Sequence, residues 1–484
     1  MWIEEELQKD SAGIRRAIHA ITRDYQKQLP RSIRSRLPEN KEKTTEFLNH
    51  FYERLRNAEF TVYQTMSADA AEADDEPRRP AFHLTEIKNS ANDLPHPRIL
   101  SELQRAYDMR RRGGGGGGDD DRYIPYKVYA YIREKSEYCI QFQSTIHGRA
   151  ITLYFITFPE SHIAICNNNR AGQSSSAADS VCASEIAVYQ LYAYKVFMWL
   201  SLVTSLADKA CSEKGIHVYF YMTPFKKQRP VDDAILSAIH VNTGLTRNCE
   251  THGEIVVYRA EEWFKVFVHE SMHNFNMDFI DLDLKSANEQ LRRTFCIPHD
   301  DILLFETYTE TWARIINTMF DTYFHDDAAS RTHFIRAVRE RLADNAMFYA
   351  YQIVKVLDIM DLKYAHITVQ TAENTEMCRK RYAEDTNVYA YYILGGILSV
   401  YALPFISWCC EHNRSGAGGG GGGGGGIGAV RFSQSTNNLA HFVEIVANSA
   451  RDPVLLSMIS FIENTSSSSS PAVVKNTMRM TVES

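Results

Sequence analysis

Apolar positions along the chain change period several times, and the changes mark out its parts. In residues 1–66 the spacing is three and four. Ile14, Ala17, Ile18, Ile21 and Tyr25 form one set, and Phe47, Leu48, Phe51 and Leu55 another. Each set is one stripe of a helix, and Pro30 and Pro38 separate the two. Residues 67–98 lose the pattern and read as linker. One more helix is predicted over 99–112, running into a glycine tract at 113–118. From Tyr123 the period falls to two. Val128, Ala130 and Ile132 alternate with Tyr129 and Tyr131, which predicts a strand. Residues 139–146 and 150–158 flank His147, Gly148 and Arg149 as a hairpin, and 167–179 is a polar loop. Then come a long apolar helix at 185–209, a strand at 216–222, a strand at 255–259 and a helix over 260–276.

The rest is helical in pattern: 300–320, 331–344, 346–362, 371–384, 439–447 and 453–462. Residues 389–410 hold no formal charge and could span a bilayer by length. Gly395, Gly396 and Pro404 interrupt them, so a buried helix pair is expected, with a membrane anchor as the alternative. Glycine and serine tracts fill 418–426 and 466–470. The fold class is α+β: predominantly helical, with a small, mostly antiparallel sheet and a helical C-terminal lobe. The expected regions are a helical 1–66, a linker with one helix over 67–122, a catalytic core over 123–325, a helical lobe over 326–464 and a disordered tail over 465–484.

Composition narrows the function classes. At 484 residues and 44% hydrophobic, the chain has room for two or three domains with a sizeable core. A net charge of −7 is mild for this size and argues against a nucleic-acid grip. Arg31, Arg34 and Arg36 read as a solvated face. Nine cysteines, an odd count without a C-x-x-C pair, read as reduced thiols in a cytosol-like compartment. The first residues, MWIEEELQKD, lack the pattern of a secretory signal, so a cytoplasmic location is expected. The glycine tract at 113–118 lacks the Lys-Ser/Thr of a phosphate loop. Asp278, Asp281 and Asp283 lack the glycine turn of a calcium loop.

The candidate chemistry lies at His269-Glu270-Ser271-Met272-His273, an H-E-x-x-H sequence inside a stretch free of Pro and Gly from Ala260 to Asn276. Residues four apart share a helix face, so both imidazoles can reach one metal ion, and Glu270 can serve as general base towards an activated water. Phe264, Phe267, Val268, Met272 and Phe275 form the buried stripe beside the histidines, and Glu261 and Glu262 are expected in the first turn. A catalytic zinc needs a third protein ligand and an open position. Asn276 and Phe279 stand where a downstream Gly and His would be needed, so carboxylates on the helix 300–320 are the candidates. There Glu306 and Glu310 share one face, and Thr309 and Ala313 are small enough for close packing.

With E-T-Y-T-E-T-W-A following H-E-S-M-H, the chain resembles the gluzincins, zinc metallopeptidases with H-E-x-x-H plus a glutamate on the next helix. The resemblance implies a Zn2+ held by His269, His273 and Glu306, with Glu310 orienting a ligand histidine; the reverse assignment of Glu306 and Glu310 stays open. The wider context over 241–318, including R-A-E-E-W-F-K-V, is similar to zinc peptidases encoded by nucleocytoplasmic large DNA viruses. What this implies is hydrolysis of a peptide or protein substrate with Glu270 as base. The strand 255–259 would hold the peptide, and a Tyr, His or Arg from the C-terminal helices, with Tyr308, Arg314, Tyr349 and Tyr382 among the candidates, would stabilise the oxyanion. A catalytically silent zincin fold that binds a partner and a membrane-associated zinc protease are the alternatives.

Overall fold

The computed structural model describes residues 2–28, 33, 35–68, 82–86, 97–102, 123–159, 176–231, 235–296, 301–325, 330–413, 426–465 and 471–483. Its strands are β1 (Phe82–Glu86), β2 (Tyr138–Ile146), β3 (Arg149–Thr157), β4 (Ile216–Tyr221), β5 (Gly244–Thr246) and β6 (Gly253–Val257). They form one sheet in the order β1-β2-β3-β4-β6-β5. β2 and β3 pair antiparallel from Ile146 opposite Arg149. Their two-residue turn uses His147 at φ 50° and Gly148 at φ 77°, the positive pair that suits the twist of a tight hairpin. β3, β4 and β6 run parallel, and β5 closes the sheet antiparallel to β6.

Alternation along the central strands sorts the side chains into two cores. Leu153 and Phe155, Val218 and Phe220, and Ile255 and Val257 face the main core. Ile156, Tyr219, Tyr221 and Val256 face a smaller one, covered by α3 (Tyr126–Lys135) through Val128, Tyr129 and Ile132. Burial on both faces explains why β6 reads as a continuous apolar run.

Helices cover the main face. α1 (Trp2–Gln28), α2 (Lys41–Ala68) and α4 (Ser176–Val203) come from the first half. The motif helix α5 (Trp263–Asn274) packs on β6 and β5 and against α6 (Leu304–His325). α7 (Arg331–Ile359), α8 (Gly395–Val400), α9 (Ala402–His412), α10 (Thr436–Ala450) and α11 (Pro453–Thr465) complete the array. The fold is α+β and predominantly helical. A single apolar cluster runs from Leu7 through the sheet to Val482, so the N-terminal helices and C-terminal lobe share the core of the central region.

Several expectations need correction. The strand expected around Val128 is the helix α3; Pro125 precedes it, and Val128 and Ile132, four apart, share a face on a helix as on a strand, while Tyr129 joins them only on the helix. β1, inside the expected linker, pairs with β2. The two helices expected at 331–344 and 346–362 are continuous as α7. Glu262 lies just ahead of α5 in a left-handed conformation, at φ 59°, not in its first turn. The tail expected to be disordered is structured from residue 471 to 483. Met478, Met480 and Val482 join the core, and Arg479 and Thr481 are buried. Cys211 and Cys249 are disulfide-bonded, contrary to the expectation of reduced thiols, because the turn after α4 lies against the β5–β6 loop. Cys139, Cys296, Cys378, Cys409 and Cys410 are free and buried.

The apolar stretch 389–410 forms a π-helical turn (Tyr389–Leu394), then α8 and α9, bent 91° apart and packed into the core. Gly396 allows this: a Cβ there would lie 2.9 Å from Ile353 Cγ1 of α7. In α4, Ile186–Val203 is long and apolar enough to cross a membrane, and 56% of it is buried inside the protein. The glycine tract 113–118, the serine tract 466–470, Arg31, Arg34 and most of the linker lie outside the described residues.

Candidate metal centre

The connection from β6 to α5 sets the site. Five residues separate them, and Arg259 and Glu262 are both buried in that turn. Arg259 donates to the backbone oxygen of Ile239 at 2.7 Å. Glu262 accepts from Lys227 Nζ (2.9 Å), Met480 N (2.8 Å) and Thr481 N (2.6 Å), which joins the C-terminal segment to the start of the motif helix. Burial pulls Lys227 down to about 8 although Glu262 opposes it. The cost of burying Glu262 is outweighed by Lys227, Lys265 and Arg479, so its carboxyl lies at about 2.

On α5 the intervening residues of the motif face the core. Ser271 accepts from Trp199 Nε1 at 2.7 Å and Met272 is buried. That turns His269, Glu270 and His273 towards a cavity of about 450 Å³ between α5, β5, α6 and the π-helical turn. From α6, Glu306 reaches the same point. His269 Nε2 lies 3.1 Å from Glu306 Oε2 and 3.1 Å from His273 Nε2, and His273 Nε2 lies 3.2 Å from Glu306 Oε2. Among the described residues these three form the one group of His, Cys, Asp or Glu side chains arranged to hold a metal ion. Ligands about 2.0–2.1 Å from a tetrahedral zinc are separated by roughly 3.3 Å. The triangle of donor atoms has nearly that size, and two imidazoles with one carboxylate is a zinc-type donor set. Burial alone would raise the Glu306 carboxyl, but the two histidines hold it well below the usual range. Burial opposes charge on His269 and His273 too, and the surrounding carboxylates overcome it and raise both.

Each histidine has a carboxylate behind it. His273 Nδ1 is hydrogen-bonded to Asp278, which is fully buried and also accepts from Ile280 N at 2.8 Å. His269 Nδ1 lies 3.2 Å from Glu310 Oε2, close enough for an ion pair but off the line of a hydrogen bond. Glu310 is held more firmly from the other side, by Lys265 Nζ at 2.9 Å to each oxygen and Arg314 Nε at 3.0 Å to Oε1. Despite burial, these cations hold its carboxyl well below the ordinary value. The described arrangement brings Glu306 to the donor triangle and keeps Glu310 behind His269. Burial raises the Glu270 carboxyl, offset in part by the two histidines.

Against family models, curated proteins and solved structures, the chain has no match. Its site is therefore read from its own geometry. Sequence reasoning missed three parts of it. Asp278 was visible only as one of three loop aspartates; its place five residues after His273 was the available signal. Lys265 stands four residues before His269 on the same helix face and lines the cavity. Tyr391, on the π-helical turn, also lines it, with its ring 5.9 Å from that of His269.

None of Tyr308, Arg314, Tyr349 or Tyr382 lines the cavity. Tyr308 donates to Val430 O, Arg314 holds Glu310 and Ser399, Tyr349 is packed beneath Arg314, and Tyr382 donates to Glu384. The strand at 255–259 does not border the cavity either. β6 lies between β4 and β5 with every residue buried, so its edges are already paired. The strand at that end of the sheet, among the described residues, is β5, and Gly244, Leu245 and Thr246 line the cavity.

Proposed function

We propose that the protein is a zinc-dependent peptidase with Glu270 as its general base. The observation that carries this reading is the triangle of His269, His273 and Glu306 donor atoms with Glu270 beside it in one cavity. Bound zinc would supply Lewis-acid activation of water and of the substrate carbonyl near neutral pH. The chain's own residues account for the rest. Glu270 takes the proton from water and delivers it to the leaving nitrogen. Tyr391, which lines the cavity, would donate a hydrogen bond to the oxyanion that develops on the carbonyl. Asp278 and Glu310 hold the imidazoles in orientation.

An extended peptide can add to the outer edge of β5, since that strand has β6 as its one strand neighbour among the described residues. Gly244 lets β5 approach closely. A Cβ there would lie 3.0 Å from Glu270 Oε1 and 2.6 Å from Val266 Cγ1.

The test pairs metal analysis of the purified protein with Glu270→Gln. The wild type is expected to carry one zinc and to cleave peptides. The variant should keep the metal and lose at least about 100-fold in cleavage rate. Undiminished cleavage by the variant, or a wild type that binds no zinc, would sink the reading.

A further inference from the structure

We propose that the cavity takes the free amino end of a peptide, so that one or two residues are removed from a chain end. This rests on the peptidase reading and supplies its substrate class. The described residues close the cavity on one side. Asp385 N donates to Leu236 O at 2.9 Å, and Leu236 and Glu384 form an isolated parallel bridge. Thr386 Oγ1 donates to Asn242 Oδ1 at 2.9 Å. These contacts tie the segment leading into β5 to the loop before the π-helical turn. Asn242 and residues 384–387 line the same cavity as His269 and Glu270. A wall therefore crosses the path that a substrate lying along β5 would follow.

Gly244 marks where that path meets the chemistry, because a Cβ there would lie 3.0 Å from Glu270 Oε1. Asn242, at the wall, is two residues earlier. Extended chain advances about 3.3 Å per residue, so about 7 Å separates the reacting position from the wall. That length accommodates roughly two substrate residues at the same pitch. A polypeptide continuing in both directions would have to pass through the tie between Thr386 and Asn242.

Charge selects which end enters. The walled side carries Asp385, at an exposed position, as its anion. Glu384 beside it is committed to the loop, its Oε2 accepting from Tyr382 Oη at 2.6 Å and Tyr389 N at 2.7 Å. The two lysines lining the cavity are already engaged: Lys227 with Glu262 and Lys265 with Glu310, both at 2.9 Å. An ammonium group is matched there, whereas a terminal carboxylate would meet like charge. The reaction is unchanged hydrolysis. The C–N bond breaks, the carbonyl carbon gains the hydroxyl of water, and the leaving nitrogen gains the proton carried by Glu270. The shortened chain then leaves along Leu245 and Thr246.

The experiment uses the full chain loaded with zinc and four versions of one labelled peptide, with the amino end free or acetylated and the carboxyl end free or amidated. Mass spectrometry of wild-type digests reads the cut position. Fluorescence anisotropy with Glu270→Gln reads binding without turnover. One or two residues should leave the free amino end. Acetylation should weaken binding by about tenfold or more, the loss of a charge-assisted hydrogen bond, and amidation should leave it unchanged. Asp385→Asn, at an exposed position, should bring the free-to-acetylated binding ratio closer to one. Internal cuts in the doubly blocked peptide, or equal binding of free and acetylated forms, would overturn the proposal. If the wild type cleaves none of the four, the peptidase reading fails. The binding ratio still decides the amino-end preference separately.

Discussion

Replacing Glu310 with alanine would strip a buried carboxylate from two buried cations. The Glu310, Lys265 and Arg314 side chains are each 2% exposed, with N–O contacts of 2.9–3.0 Å. Truncation leaves Lys265 and Arg314 facing each other with no anion between them. Removing one partner of a buried ion pair costs about 3–5 kcal/mol, most of it the penalty of the stranded charge. Unfolding entropy is about 2.1 cal/mol/K per residue, which for 484 residues is roughly 1 kcal/mol per degree. The expected fall in Tm is therefore about 3–5 °C, measured by calorimetry with zinc chelated. Glu310→Gln keeps the volume and one acceptor, so it should lose less.

The same substitution withdraws the anion behind His269 and should weaken zinc by about 10–100-fold, read by competition with a chromogenic chelator. Glu306→Ala should act in the opposite proportion. It removes a donor of the triangle and so loses most of the zinc. Because the Glu306 side chain borders the cavity and is 13% exposed, it should move Tm less in chelator. An unchanged melting temperature in Glu310→Ala would refute the buried-clamp reasoning. Full zinc loss from Glu310→Ala with retention by Glu306→Ala would exchange the two roles.

Asp278→Asn should weaken zinc by about 10–100-fold with little change in fold, because it replaces the anion behind His273 with a neutral group of the same shape; unchanged affinity would remove Asp278 from the centre. Gly244→Ala forces a methyl to within 2.6 Å of Val266 Cγ1, so cleavage should fall sharply and stability by about 1–3 kcal/mol while zinc is retained; wild-type turnover would show that β5 does not touch the reacting position. Glu262 should contribute to acid unfolding. Its folded value of about 2 lies below the ordinary 4.5, so the unfolded chain binds the extra proton between those values and stability falls as pH drops through that window. The loss should be roughly 3 kcal/mol in total, and Glu262→Gln should flatten that part of a denaturation-against-pH curve.

Local pattern was sufficient for the motif helix and its partner. His269, Glu270 and His273 announce themselves by spacing, as do Glu306 and Glu310, because a helix converts a separation of four residues into one face without help from the rest of the chain. The hairpin at His147-Gly148 was legible for the same reason, since a two-residue turn is a local event. Period-two alternation was less informative at Val128 and Ile132, whose spacing of four puts them on one face of either a helix or a strand; packing of Tyr129 with them against the smaller core decides for the helix.

What local pattern could not carry was contact between distant segments. Which strand ends the sheet depends on pairing, and pairing buried β6 and put β5 at the edge, 11 residues earlier than the strand that looked suitable. Asp278, Lys265 and Tyr391 acquire their places at the candidate metal centre from the packing of α5, α6 and the π-helical turn. The C-terminal segment looked expendable in composition. It is structured because Met478, Met480 and Val482 complete a core and because the buried Glu262 accepts hydrogen bonds from Met480 N and Thr481 N. A buried carboxylate needs partners wherever the fold can supply them, and their sequence positions follow from the fold rather than from any spacing along the chain.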